Sequence, residues 1–179
     1  MIFEETPIKG CYVIRLQPQK DARGFFMRTF CSREFTDHGL DSEMVQSNLS
    51  GCNQKHTLRG MHYQANGSEE GKLVRCVRGR ILDVCLDIRR DSKTFGQYQM
   101  IELTEFNNAM FYLPRGTAHG FLTLDNNCDV FYQISNYYDP KNEFGIRWDD
   151  PFFAIDWPIT DPIVSDRDNS FPGFRKKIN

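Results

Sequence analysis

The chain has 179 residues, 40% hydrophobic and 13% aromatic, enough material for one hydrophobic core and one domain. Its formal net charge of -2 excludes bulk attraction to nucleic acid or to an anionic membrane, so phosphate recognition has to rest on individual basic residues. No apolar run approaches the roughly 18 residues of a membrane span, and residues 1–7 lack the basic and apolar regions of a signal peptide, which points to a cytoplasmic protein.

Short apolar runs broken by Gly, Pro, Asn and Asp recur along the chain, and helical periodicity is scarce, a pattern that predicts an all-β sandwich or barrel. In chain order, strands are expected at 10–17, 24–30, 57–64, 72–77, 80–88, 98–103, 108–113, 120–124 and 130–136. One helix is expected at 32–38, with Ser32 as its N-cap and Gly39 as its stop. Val77-Arg-Gly-Arg80 reads as a hairpin turn centred on Gly79. From Tyr138 onward the sequence is rich in Pro, Asp and Trp and reads as an irregular segment over the sheet. The expectation is a single domain, 1–179, with a core barrel at about 10–138 and a covering segment at about 139–179. The six cysteines are widely spaced in a chain too large to need staples and read as reduced, mostly buried thiols. With four histidines and neither CxxC nor HExxH, no structural zinc site is expected.

Period-two alternation assigns faces. Gly60, His62 and Gln64 share one side of their strand, with Met61 and Tyr63 on the other. Leu82, Val84, Leu86 and Ile88 form an apolar face opposite Asp83, Cys85 and Asp87, an acidic face that either meets solvent or lines a polar cavity. Tyr132, Ile134, Asn136 and Tyr138 share parity.

Thr57-Leu-Arg-Gly-Met-His-Tyr-Gln64 sets Arg59 three residues before His62, and Lys72 follows closely. An anion-binding guanidinium beside a titratable imidazole suits proton chemistry on a phosphorylated substrate. Arg23 and Arg59 each precede a glycine, which lets a ligand approach the backbone beside the charge; each is otherwise a surface cation. Lys72 is either an ion-paired strand-end lysine or a cation that stabilises a developing oxyanion. His62 and His119 have structural readings as well as catalytic ones.

These residues stand in a longer ordered set: Asp21-Ala-Arg-Gly-Phe-Phe26, Gln46-Ser-Asn48, Gly71-Lys-Leu-Val-Arg75, Ala118-His-Gly-Phe121, Tyr137-Tyr-Asp-Pro140, Trp148-Asp-Asp-Pro151 and Ile163 through Asp168. The set resembles the dTDP-4-dehydrorhamnose 3,5-epimerase family of the cupin superfamily over essentially the whole chain. The resemblance implies a jelly-roll barrel, usually a homodimer with exchanged strands, that acts without metal or other cofactor on a nucleoside-diphospho-4-keto-6-deoxyhexose. By motif, His62 would be the base that removes the proton beside the ketone, Asp168 its orienting partner, Tyr132 the acid on the opposite face and Lys72 the cation at the enolate oxygen. Arg23 and Arg59 would hold the diphosphate, Gln46, Asn48 and His119 would line the sugar site, and Tyr138 would stack on the base.

At the expected base pocket the sequence departs from that pattern. Arg28 stands where an acid follows Gly-Phe-Phe-Met in thymidine-specific members, and Gln19 stands where an aromatic is common. Thymine offers an N3–H donor that arginine cannot accept, whereas cytosine offers acceptors. The substrate is therefore expected to be dTDP-linked or CDP-linked. The competing classes are a 3,4-ketoisomerase of the same fold, a metal-dependent cupin enzyme and a non-catalytic sugar-nucleotide binder.

Overall fold

A computed structural model describes residues 1–174. Its strands are β1 (Ile2–Glu5), β2 (Tyr12–Arg15), β3 (Gln19–Asp21), β4 (Gly24–Phe26), β5 (Gln46–Cys52), β6 (Leu58–Gln64), β7 (Lys72–Arg78), β8 (Arg80–Asp87), β9 (Tyr98–Thr104), β10 (Ala109–Leu113), β11 (Thr117–Thr123), β12 (Cys128–Ile134) and β13 (Glu143–Gly145). Two short helices accompany them, α1 (Ser32–Asp37) and α2 (Asp166–Asn169).

The strands form a cupin-type jelly roll. One sheet runs β1-β2-β10-β7-β12-β5 and the facing sheet β13-β6-β11-β8-β9, while β3 and β4 form a separate hairpin. Val74, Cys76, Phe111 and Val130 of the first sheet pack on Ile81, Cys85, Leu103 and Phe121 of the second. Burying each large apolar side chain stabilises by roughly 1.5–3 kcal/mol. Both outer faces are covered as well. Phe35 of α1 sits on Ile14, Leu73 and Met110, and Phe153, Ile155 and Trp157 of the C-terminal segment sit on Leu58, Val84, Leu86 and Leu122. This explains why β10 is buried along its whole length and reads as a continuous apolar run.

All nine expected strands are present, with shifted ends: the second stops at Phe26, and the one expected at 120–124 begins at Thr117. The turn at Gly79 has the expected positive φ of 78°, but it is not a hairpin, because β7 and β8 belong to different sheets. Ser32 is the first helical residue rather than the cap; Cys31 occupies that position with no side-chain hydrogen bond. Gly39 does close α1: its N–H donates to Thr36 O and that of Leu40 to Phe35 O, a Schellman arrangement. The acidic face of β8 points inward, and Asp83 and Asp87 are both fully buried. The six cysteines are free, five of them buried. Residues 175–179 of the expected covering segment lie outside the described residues. No helix among the described residues is long and apolar enough to cross a membrane.

Asp87 ends β8 and fixes the loop that follows. Its carboxylate accepts from Arg89 N (3.0 Å), Nε (2.9 Å) and Nη2 (2.9 Å), and from the hydroxyls of Ser92 (2.6 Å) and Thr94 (2.7 Å). Burial pushes this carboxyl up, but the five donors outweigh burial and bring it down from 3.8 to about 2. A carboxyl depressed on folding stabilises above its unfolded pKa and loses that contribution as pH falls through the folded value. Asp87 is thus expected to contribute about 2 kcal/mol at neutral pH, lost between about pH 4 and pH 2. Thermal unfolding of Asp87→Asn should show a lowered Tm at pH 7 and a gap to the wild type that narrows over that acid range.

Candidate active site

Between the sheets, at the end away from Cys76 and Leu103, lies a cavity of about 370 Å³. Inward positions on β5, β6, β7, β11, β12 and β13 supply its walls. The placement of Arg59 and His62 depends on an irregularity in β6. Leu58, Arg59 and Gly60 pair with Leu122, Phe121 and Gly120, but His62 pairs with His119, so Met61 is an extra residue. Such a bulge reverses the alternation. Arg59 and His62 have opposite parity yet both line the cavity, while Leu58 and Met61 both pack outward under the C-terminal segment. Strict alternation fails at this point.

Gly60 serves close approach of another strand rather than of a ligand. Its φ is 119°, and a Cβ there would stand 2.6 Å from Gly120 Cα and 2.7 Å from His119 O.

His62 Nε2 lies 2.9 Å from Asp168 Oδ1. The other carboxylate oxygen accepts from Gly60 N at 3.0 Å. Asp168 is 4% exposed and sits on α2, whose N-cap Ser165 accepts from its N–H at 3.1 Å. Burial pushes its carboxyl up, yet the His62 and Gly60 hydrogen bonds hold it below the ordinary value, so it is ionised. An ionised carboxylate only accepts, which assigns the proton to Nε2 and leaves Nδ1 as the basic nitrogen. A second pair, His119 Nε2 and Asp83 Oδ1 at 2.8 Å, joins β11 to its neighbour β8. Asp83 Oδ2 has no hydrogen-bond partner among the described residues.

Lys72 enters from β7 and pairs with Glu70. Burial pushes its ammonium down to about 8, with the charge of Glu143 opposing. Tyr132 lines the cavity from β12, and burial raises its phenol, so it stays protonated through neutral pH. Gln46 Nε2 donates to Asn48 Oδ1 at 3.1 Å, and Gln46 Oε1 accepts from Tyr138 N at 3.2 Å. Tyr138 OH donates to Glu143 Oε2 at 2.7 Å. Arg59 is anchored by Nη2 to Gly51 O at 3.3 Å. The cavity thus unites His62, Lys72, Arg59, Tyr132, Gln46, Asn48, His119 and Tyr138, with Asp168 behind His62.

Two expected residues are elsewhere. Arg23 lies on the β3–β4 hairpin, paired with Asp21 at 2.6 Å, and Arg28 pairs with Glu34 at 2.9 Å; neither lines this cavity. The physical reason for Arg23 is that the hairpin joins neither sheet, and Arg28, two residues past β4, is drawn to Glu34 of α1. Conversely, Glu143 and Glu70 belong to the cavity wall and were not anticipated. Glu143 lies on a three-residue strand in a Pro- and Asp-rich stretch with no periodic signal. Glu70 stands two residues before Lys72, and that spacing was the available clue.

The architecture and the cavity define a cupin-type enzyme equipped for proton transfer. A family profile described as dTDP-4-dehydrorhamnose 3,5-epimerase matches residues 5–176. The chain is 39% identical over 177 residues to the dTDP-4-dehydrorhamnose 3,5-epimerase of Methanothermobacter thermautotrophicus, covering 97% of this chain and 95% of that one. A crystal structure of dTDP-4-dehydrorhamnose 3,5-epimerase from Elizabethkingia anophelis superposes with a TM-score of 0.94 at 36% identity, over 97% and 96% of the two chains. The Legionella pneumophila dTDP-6-deoxy-D-glucose-3,5-epimerase, solved in complex with dTDP-4-keto-L-rhamnose, gives 0.88 at 34% identity over 98% and 99%. The chain belongs to the dTDP-4-dehydrorhamnose 3,5-epimerase family, an isomerase family of deoxysugar biosynthesis.

Because a Cβ at Gly60 meets backbone atoms that no rotamer change can move, Gly60→Ala is expected to destabilise the fold by about 2 kcal/mol or more. Denaturant unfolding measures this.

Proposed function

We propose that this protein inverts C3, C5 or both in a nucleoside-diphospho-4-keto-6-deoxyhexose through an enolate. The observation that carries the reading is the placement of His62 and Tyr132 on strands of opposite sheets, facing one cavity that Lys72 also lines. A carbon acid beside a ketone is too weak for an unaided imidazole, so the developing oxyanion has to be stabilised as the proton leaves. His62 Nδ1 takes the proton, and the C–H electron pair moves to form the enolate at the C4 oxygen. The Lys72 ammonium faces that oxygen. Tyr132 then delivers a proton to the opposite face of the same carbon as the enolate collapses, and configuration inverts. Asp168 holds the Nε2–H tautomer throughout. The balance is one proton in and one proton out, with no change of oxidation state.

Arg59 holds the diphosphate, and Gln46, Asn48, His119 and Tyr138 contact sugar and base. The working unit is the single domain 1–179 in a homodimer. Its β3–β4 hairpin, with Phe25 64% and Phe26 72% exposed, and the residues just after it bring Arg23 and Arg28 to the cavity of a second copy. Free thiols suit a reducing, cytoplasmic setting. Thymidine is the favoured base. The case for cytosine rested on Arg28 being a donor only, but the Glu34 carboxylate 2.9 Å away returns an acceptor to that spot. The Legionella relative's complex with a dTDP sugar supports the same choice.

In deuterated water with a dTDP-linked 4-keto-6-deoxyhexose, the protein should introduce deuterium at C3, C5 or both, as read by NMR, and kcat/KM should fall as Lys72 loses its proton above about pH 8. His62→Ala and Tyr132→Phe should abolish epimer formation, and a product without label would exclude the enolate route. In parallel assays the dTDP form should be turned over in preference to the CDP form; equal or reversed kcat/KM would return the base to cytosine.

A further inference from the structure

Glu70 is a carboxylate almost removed from water at the entry to β7, its side chain 5% exposed. One oxygen accepts from Gln64 Nε2 and the other pairs with Lys72 Nζ, whose side chain is 13% exposed. The surroundings fix it in place. Gln64 Nε2 also reaches Ser68 O and Tyr137 O, each at 3.2 Å, and Gln64 Oε1 accepts from Asp139 N at 2.5 Å. On the other side Gly71 N donates to Ser135 Oγ at 2.8 Å, and Arg115 Nη1 donates to Glu69 O at 2.6 Å. A carboxylate held this far from water is costly unless a charge partner needs it. The partner here is the one lysine among the described residues of the cavity wall, which the epimerase reading places at the substrate's carbonyl oxygen.

We infer that Glu70 is a positioning residue for the epimerisation, holding Lys72 as an aimed ammonium between turnovers, with Gln64 tying this pair to the strand that carries His62. The inference rests on the epimerase reading. Lys72 also faces Glu143 from β13, Arg59 and His62 from β6, His119 from β11, and Tyr132 and Tyr138 from β12 and the turn after it. Glu143 is shared with Tyr138 and Arg167, which leaves Glu70 as the acid whose bonds go to Lys72 and its support alone. The pull of burial on Lys72, down to about 8, marks how little margin its charge has at working pH.

The test is the pH profile of kcat/KM for Glu70→Gln against the wild type, on the full-length protein with a dTDP-linked 4-keto-6-deoxyhexose, with deuterium wash-in followed in the same samples. Removing one charge in contact with an ammonium should move the alkaline limb down by about one pH unit. kcat at pH 8 should fall several-fold, with KM within about twofold and Tm close to the wild type. An alkaline limb at the wild-type position overturns the role of Glu70 while leaving the epimerase reading intact. Wild-type protein that incorporates no label overturns both. If Glu70→Gln does not fold, Glu70→Asp carries the test: it keeps the charge and loses the reach, so the limb should stay in place while kcat falls, and an unchanged kcat overturns the inference.

Discussion

The carboxylate of Asp168 joins parts of the chain 106 residues apart, and the arrangement of the cavity depends on it. One oxygen takes His62 and the other the N–H of Gly60, so the same group orients the imidazole and secures the bulge that turns it inward. Its charge is tolerable in a buried place because Gly60, His62 and the capped turn of α2 all direct donors at or beside it. The C-terminal segment is therefore more than a cover for the outer face of one sheet, since it carries the carboxylate that orients His62 in the cavity.

The space between the sheets is divided along its length. At one end thiols and aliphatic side chains fill it; at the other the inward positions of the same strands carry Lys72, His119, Tyr132 and Asn48. On β12, Cys128 and Val130 belong to the packed end, and Tyr132 to the cavity. On β7, Cys76 and Val74 give way to Lys72 in the same manner. Alternation sets which residues point inward, and position along the strand decides whether they meet the packed core or the cavity. The packed end holds the strands in register, so that polar groups at the open end are fixed without close packing around them.

The strongly patterned strands were legible from periodicity alone, as was the grouping of Asp83, Cys85 and Asp87 on one face of β8, but only the fold decided that this face is buried. What escaped has specific causes. β5 was missed because its inward residues, Gln46, Asn48 and Ser50, line the cavity and so lack the apolar alternation of a core strand. β1, β3 and β13 are three or four residues long, too short to establish a period. The turn at Gly79 was recognised by its residue type, but a positive φ does not reveal whether the next strand folds back or crosses to the other sheet. Of the expected site residues, Arg23 and Arg28 share the motif logic of the others but lie away from the cavity, because motif order carries no information about where the segment that bears them packs.

The order of motifs from Asp21 to Asp168 was enough to set the family and most of the residues that meet in the cavity, because each motif is local and can be matched by residue type and order. The folded chain alone decides which nitrogen of His62 is free, that Arg59 and His62 share a cavity despite opposite parity, and that Glu70 and Glu143 belong to it. These outcomes come from a bulge and from contacts between distant segments. Both depend on how strands pair in space, which neither composition nor periodicity records.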